Sequence, residues 1–407
     1  MADIKSKRKF RDERLTGSLT DGSADYEAKG GYIRRFYLPE LDALRFFAFL
    51  SVFVFHAIPH DLSELARHPI PVRLKPFVAD ALAAGGFGVD LFFVLSAYLI
   101  TELLLRERSV TGAVDVGSFY ARRILRIWPL YFAFLGFASI LSVAFSEVSE
   151  FRIRWYAVAA YVLLVGNIGS SFWGVGRSII APLWSISLEE QFYLFWPPVL
   201  RSANERKLAG IGVGLLIVSS VCRYALVTRR SPDFLGMFTL TRLDPMGLGI
   251  LLAVALGGRK PNLSIASRLT LIAAGMVGWF ACTSIFEFGS STITIGQTMV
   301  GFPLAAVSSA AFLVATIGAP EAGIRIAANP ILVYLGKISY GLYVYHVFAL
   351  TIVRFAKPHF SAWSWDLINA PASFVLTVVI SAVSYHWLES PFLRLKDQFA
   401  RVKSRPI

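Results

Sequence analysis

The sequence predicts an all-α integral membrane protein, a bundle of about ten transmembrane helices with one further re-entrant or partial segment. Three observations carry this. Hydrophobic residues fill 55% of the 407 positions and charged residues only 16%. The apolar residues arrive in long blocks: residues 127–145 carry no charge over 19 positions, and residues 367–388 none over 22. Blocks near 18 or more residues with few charges have the length of a bilayer crossing. Finally, the basic residues sit in short connections beside the blocks, as on the cytoplasmic side of membrane proteins. The net charge of +13 therefore reads as membrane topology and gives no support to a nucleic-acid partner.

Eleven apolar segments can be marked: 40–58, 87–105, 127–146, 154–169, 183–200, 208–227, 234–256, 269–286, 293–318, 330–353 and 367–388. Arg34 and Arg35 place the N-terminus inside, and Arg394, Lys396, Arg401, Lys403 and Arg405 do the same for the C-terminus. The 106–126 connection, with Arg106, Arg108, Arg122, Arg123 and Arg126, also belongs inside. Two ends on one side require an even number of crossings. The basic loop RSANERK (201–207) falls inside only if one segment within 154–182 dips in and returns. The stretch GNIGSSFWGVG suits such an irregular backbone, which membranes accept where protein or water covers it. The expected organisation is a disordered cytoplasmic tail (1–35), one membrane domain (36–395) and a basic cytoplasmic tail (396–407). The polar N-terminus lacks the apolar core of a cleavable signal peptide. Cys222 and Cys282 both lie in apolar blocks and read as small packing residues rather than as a disulfide or metal site.

Candidate chemistry starts in the first segment, LPELDALRFFAFLSVFVFHA, with Asp42, Arg45 and His56. Eleven helical steps separate Arg45 from His56, about three turns, so both lie on one face roughly 16 Å apart along the axis. Asp42 lies one turn before Arg45. A cation within an apolar block faces a bundle interior or a wet cavity, and histidine is the side chain suited to take a proton near neutral pH. The competing reading places His56 at the wet outer end of its helix. The block WSISLEEQFYLFWP (184–197) sets Glu189 and Glu190 among aromatic residues; either carboxylate can orient a histidine, or both belong to an interfacial belt. In FYARRILRIWPLYF (119–132), Arg122, Arg123 and Arg126 share a helix face, either to grip phosphates or as positive-inside anchors. In TRLDPMGLG (241–249), Arg242 and Asp244 are two apart, point in different directions and pair with other helices, structurally or functionally. GFGVDLFFVLSAYLI places Asp90 and Ser96 in the second segment, and ISYGLYVYHV places Ser339, Tyr340, Tyr343 and His346 in the tenth, where His346 equally reads as a hydrogen-bonded core histidine. His386 reads as interfacial, and His60, His68 and His359 fall in outer loops. No GxxxxGK[ST], GxSxG, HExxH or CxxC motif occurs, which argues against an ATP-driven pump or a metal hydrolase.

In this order, LDALRFFAFLSVFVFH, GVDLFFVLSAYLI, RRILRIWPLY, WSISLEEQFYLFWP, TRLDPMGLG and ISYGLYVYH resemble the blocks of the membrane-bound acyltransferase-3 family over residues 36–395. The resemblance implies an enzyme that moves an acetyl or other short acyl group from acyl-CoA to a hydroxyl of a carbohydrate or glycolipid acceptor. The acyl-CoA acts as a substrate, and no permanently bound cofactor or metal is implied. The expected location is a bacterial inner membrane with both termini cytoplasmic. Carried over, the resemblance makes His56 the base or acyl-handling residue, Arg45 its companion, Glu189 the firmer carboxylate of its block, and Arg123 and Arg126 the pair facing the donor. Ala43 and Ala97 stand where the family usually has glycine. Ending at 407, the chain resembles the stand-alone form, without an appended esterase-like domain. The alternative is a polytopic exporter of a sugar or lipid, which fits the same crossings and buried charges.

Overall fold

A computed structural model describes residues 36–174, 178–288, 293–355 and 362–399. The predicted tail 1–35, residues 400–407, His359 and residues 175–177 of the glycine-rich stretch lie outside the described residues. Among the described residues every regular element is helical.

Six stretches are long and apolar enough to cross a membrane: Val72–Thr111, Val116–Ala144, Glu205–Leu226, Ile265–Ser284, Gln297–Thr316 and Ile368–Phe399. Pro330–Lys337 and Ser339–Arg354, bent by 72° at their junction, make a seventh if taken as one broken span. The protein is a multi-pass membrane protein. Its outward side chains are apolar where lipid replaces water, Val143 (85% exposed) being one. Three further helices of the predicted set fall outside this group for physical reasons. Helix α1 (Pro39–Ala57) has 19 residues but carries Glu40, Asp42 and Arg45. The 20-residue helix Leu183–Ser202 carries Glu189, Glu190 and Arg201. Asp244–Leu256 is only 13 residues long, about 20 Å.

The remaining elements that position the site are α2 (Gly88–Thr111), α3 (Val116–Ala144), α4 (Trp155–Val162), α5 (Gly166–Trp173), α6 (Leu183–Ser202), α7 (Glu205–Leu226), α8 (Asp244–Leu256), α9 (Ile265–Ser284), α10 (Phe302–Thr316), α11 (Pro330–Lys337), α12 (Ser339–Arg354), α13 (Ala362–Ser384) and α14 (Ser390–Lys396). Local chemistry sets their ends. The Asp115 carboxylate caps α3 by accepting from Ser118 N at 3.0 Å, and Asn204 caps α7 through Lys207 N at 2.9 Å. Helix α2 stops at Gly112, which takes a φ of 79° that other residues resist.

The predicted irregular segment is two eight-residue helices, α4 and α5, separated by a break at which Leu164 adopts φ 57°. Each is about 12 Å long and too short to span a bilayer. A satisfied polar cluster ties α5 to α6: Gln191 Nε2 donates to Asn167 Oδ1 at 2.8 Å, Asn167 Nδ2 donates to Thr239 Oγ1 at 2.8 Å, and Thr239 Oγ1 donates to Gln191 Oε1 at 2.6 Å.

Helix α1 lies at the centre, packed against α2, α10, α11, α12 and α13. Phe46, Phe49, Val52 and Phe53 bury its middle turns. The crossing of α1 with α11 is close enough that a Cβ on Gly336 would lie 1.9 Å from the Asp42 carbonyl oxygen. Gly336→Ala is therefore expected to cost about 1–3 kcal/mol through overpacking. Gly214→Ala, where nothing lies within 4 Å, should be neutral or slightly stabilising. Thermal unfolding of both variants in detergent checks the contrast.

Candidate active site

Two adjoining cavities share Arg45, Leu99, Arg123 and Arg126 as walls. The first is lined by Tyr37, Asp42, Glu107, Arg122 and Lys396 among others. The second is lined by Ser96, Ser185, Glu189, Tyr193, Tyr340 and Tyr343 and is open at its rim. The sequence-predicted Arg45, Arg123, Arg126 and Glu189 thus meet around common space, although they come from α1, α3 and α6.

Their electrostatics differ. Arg45 Nη1 donates to Asp42 Oδ1 at 2.7 Å, and Tyr37 Oη donates to Asp42 Oδ2 at 2.9 Å. Arg122 is held by Glu107 Oε2 at 3.0 Å and by the Phe399 carbonyl at 2.6 Å, which makes it a clamp between α2, α3 and the segment after α14. Arg123 lies 5.1 Å from the Tyr193 ring centroid and 5.4 Å from that of Phe119. Among the described residues neither Arg123 nor Arg126 has an ion-pair or hydrogen-bond partner. Across the second cavity Glu189 Oε2 accepts from Tyr193 Oη at 3.1 Å. Glu190 turns aside: its Oε2 accepts from Trp128 Nε1 at 3.0 Å, and its buried Oε1 has no hydrogen bond. Such an excess of guanidinium charge suits an anionic ligand with several oxygens.

His56 lies outside both cavities, exposed near the end of α1. Its Nδ1 is 2.9 Å from the Val52 carbonyl and 3.3 Å from His346 Nε2. The structure does not bring Glu189 into hydrogen-bonding contact with His56, so the expected carboxylate support of the histidine is replaced by a second histidine. His346 is fully buried and joins His56 to the cavity wall: its Nδ1 is 2.6 Å from the carbonyl of Tyr343, whose hydroxyl is 2.7 Å from Ser185 Oγ. The three-residue spacing of Tyr343 and His346 in ISYGLYVYH was the available signal for this link. Gln191 and Lys396 carried no comparable signal.

Arg242 and Asp244 are spent elsewhere. Arg242 Nη2 donates to Asp90 Oδ2 at 2.9 Å, joining the start of α8 to α2. Asp244 receives Arg223 Nη2 at 2.9 Å, joining α8 to α7. All four side chains are buried. Both Cys222 and Cys282 are free, and Cys282 is buried with its Sγ 3.3 Å from the Gly301 carbonyl.

A helical membrane bundle in which Arg45, Arg123, Arg126 and Glu189 line shared cavities fits a membrane acyltransferase domain. The family model described as the acyltransferase domain of the acyltransferase-3 family matches residues 38–386, and the chain belongs to that family. It is 27% identical over 386 residues to a candidate O-acetyltransferase of Staphylococcus aureus (strain COL), covering 89% of this chain and 58% of that protein. It is 26% identical over 378 residues to the peptidoglycan O-acetyltransferase OatA of Listeria monocytogenes, covering 88% of this chain and 56% of OatA. The O-acetyltransferase OatA of Staphylococcus aureus (strain MRSA252) is 26% identical over 398 residues, covering 90% and 60%. The chain therefore spans less than two thirds of the length of these relatives. No solved structure matches it.

Breaking the buried Arg223–Asp244 pair by Arg223→Met is expected to cost about 3–5 kcal/mol, read as a lower melting temperature and reduced folded yield. Arg126→Gln removes a cation with no ion-pair or hydrogen-bond partner among the described residues and should hold or raise the melting temperature.

Proposed function

We propose that this domain transfers an acetyl or other short acyl group from acyl-CoA to a hydroxyl of a carbohydrate or glycolipid acceptor. The observation that carries the proposal is the convergence of Arg45, Arg123 and Arg126 on shared space within an acyltransferase fold. Guanidinium groups match phosphate oxygens bidentately, and a CoA thioester supplies both the phosphates and the acyl group. Glu189, Tyr193 and Tyr343 then furnish the polar walls past which the pantetheine arm runs. Membership of an acyltransferase family disfavours the exporter reading.

In this scheme the helices α1, α6 and α8 also cross the bilayer, their polar groups answered within the bundle by the Arg45–Asp42 and Arg223–Asp244 pairs and by hydrogen bonds from Tyr193 and Trp128 to Glu189 and Glu190. With the seven apolar spans they make ten crossings, α4 and α5 forming the partial segment. Both termini lie in the cytoplasm, and the membrane is a bacterial inner membrane. The donor site then opens to the inside, and His56 lies near the outer surface, where the acceptor arrives. His56 Nε2 takes the acceptor hydroxyl proton as that oxygen bonds to the thioester carbonyl carbon. The C–S bond breaks, and the proton passes from Nε2 to the CoA thiolate. Arg45, anchored to Asp42 and about 16 Å along α1 from His56, acts with Arg123 and Arg126 at the phosphate end of the donor.

His56→Ala at normal membrane abundance is expected to reduce transfer by about 10²-fold or more, measured as O-acetyl content of surface glycans in a complemented deletion strain; full transfer would remove His56 from the chemistry. Replacing Arg123 and Arg126 by Glu should raise the KM for acetyl-CoA by at least tenfold, about 1.4 kcal/mol, in a thiol-release assay with membranes. An unchanged KM would dismiss the donor site.

A further inference from the structure

We propose that His346 is the positioning residue for His56, fixing which nitrogen of that ring is free to accept a proton. The inference rests on the reading of His56 as the base. It begins with the acceptors, because a carbonyl oxygen cannot donate. His346 Nδ1 lies 2.6 Å from the Tyr343 carbonyl, so in the neutral ring the hydrogen is on Nδ1 and Nε2 carries a lone pair. His56 Nδ1 lies 2.9 Å from the Val52 carbonyl, so its hydrogen is likewise on Nδ1. At 3.3 Å the two rings then complement each other: the His56 Nδ1–H is shared between the Val52 carbonyl and the His346 lone pair. His56 Nε2 remains, with no hydrogen-bond partner among the described residues, as the basic atom.

The surroundings favour a fixed arrangement. His346 is fully buried, its ring set edge-on to Phe49 with centroids 6.0 Å apart. The His56 and His346 centroids are 5.0 Å apart. Phe49 and His56 both belong to α1 and His346 to α12, so the contact also sets the register of the two helices. Arg354, at the end of α12, donates to the His56 carbonyl at 3.3 Å and adds a second tie between the same elements. When Nε2 takes the acceptor proton, the resulting imidazolium keeps its Nδ1–H directed at two neutral acceptors. A carboxylate usually fills this place beside a working histidine. A neutral acceptor holds the tautomer without adding an ion to the membrane interior.

The test uses membranes of the host deletion strain expressing the full chain, with their endogenous acceptor, and follows thiol release against acetyl-CoA concentration. His346→Leu keeps bulk and removes the acceptor; it is expected to lower Vmax by about 10- to 100-fold, the scale on which the outer-shell partners of working histidines act, with KM for acetyl-CoA unchanged within about twofold. His346→Gln places an amide oxygen near the lost nitrogen and should recover most of the rate. In a His56→Ala background His346→Leu should cost nothing more, because the partner it serves is gone. Equal rates for His346→Leu and wild type, equal losses for Leu and Gln, or a further loss in the double variant would each overturn the positioning role. If the Leu variant does not accumulate, His346→Asn, whose shorter amide does not reach His56, takes its place under the same expectations. An active His56→Ala enzyme would instead overturn the reading of His56 on which this rests.

Discussion

Charge within the bilayer must be answered within the bundle, and the rest of this structure follows from how that is done. Arg242 meets Asp90, Arg223 meets Asp244, and Arg45 meets Asp42. Each of the first two pairs joins different helices, so electrostatic compensation and tertiary structure are the same contacts. Separating such a pair strands a charge in a medium of low polarity, a far larger penalty than losing an exposed ion pair. Arg123 and Arg126 break the pattern. Their cost is left standing in a cavity wall, and such uncompensated charge is the signature of a place prepared for something else.

The geometry around those two arginines is built by elements distant in sequence. Helix α3 supplies the guanidiniums, α1 supplies Arg45, α6 supplies Glu189 and Tyr193, and α12 supplies Tyr340 and Tyr343. Close backbone approach between α1 and α11 at Gly336 holds Asp42 in place, and Asp42 in turn holds Arg45. On the other side, the Gln191–Asn167–Thr239 cluster fastens the broken segment to the helix that carries the glutamates.

Much of this was legible in the sequence, for identifiable reasons. Apolar block length revealed the helical membrane character, because a bilayer imposes one length on every crossing. Buried cations stand out in an apolar background, which singles out Arg45, Arg123 and Arg126, but spacing along α1 set Arg45 beside His56 and gave no sign that it shares a cavity with the other two. Arg242 and Asp244 were correctly read as reaching other helices, since two steps along a helix point side chains apart. What could not be read was pairing at long range. Nothing in local spacing says that His56 meets His346, 290 positions away, or that Arg122 answers Glu107 and not an incoming ligand. The same limit applies to Glu189 and Glu190: both are polar in an apolar block, and sequence alone does not tell which side chains of other helices share a face with them.

One consequence of the guanidinium-walled space concerns turnover. On the proposed reading, those groups grip the phosphate end of the carrier, far from the sulfur where the bond changes. Loaded and spent carriers present that end identically, so the wall cannot by itself tell them apart. Discarding the used carrier must then depend on the small remainder at the thiol, or on a cytoplasm in which the loaded form is in excess. On that reading the domain would be slowed by its own by-product, and its rate in the cell would follow the ratio of the two carrier forms more closely than the abundance of either.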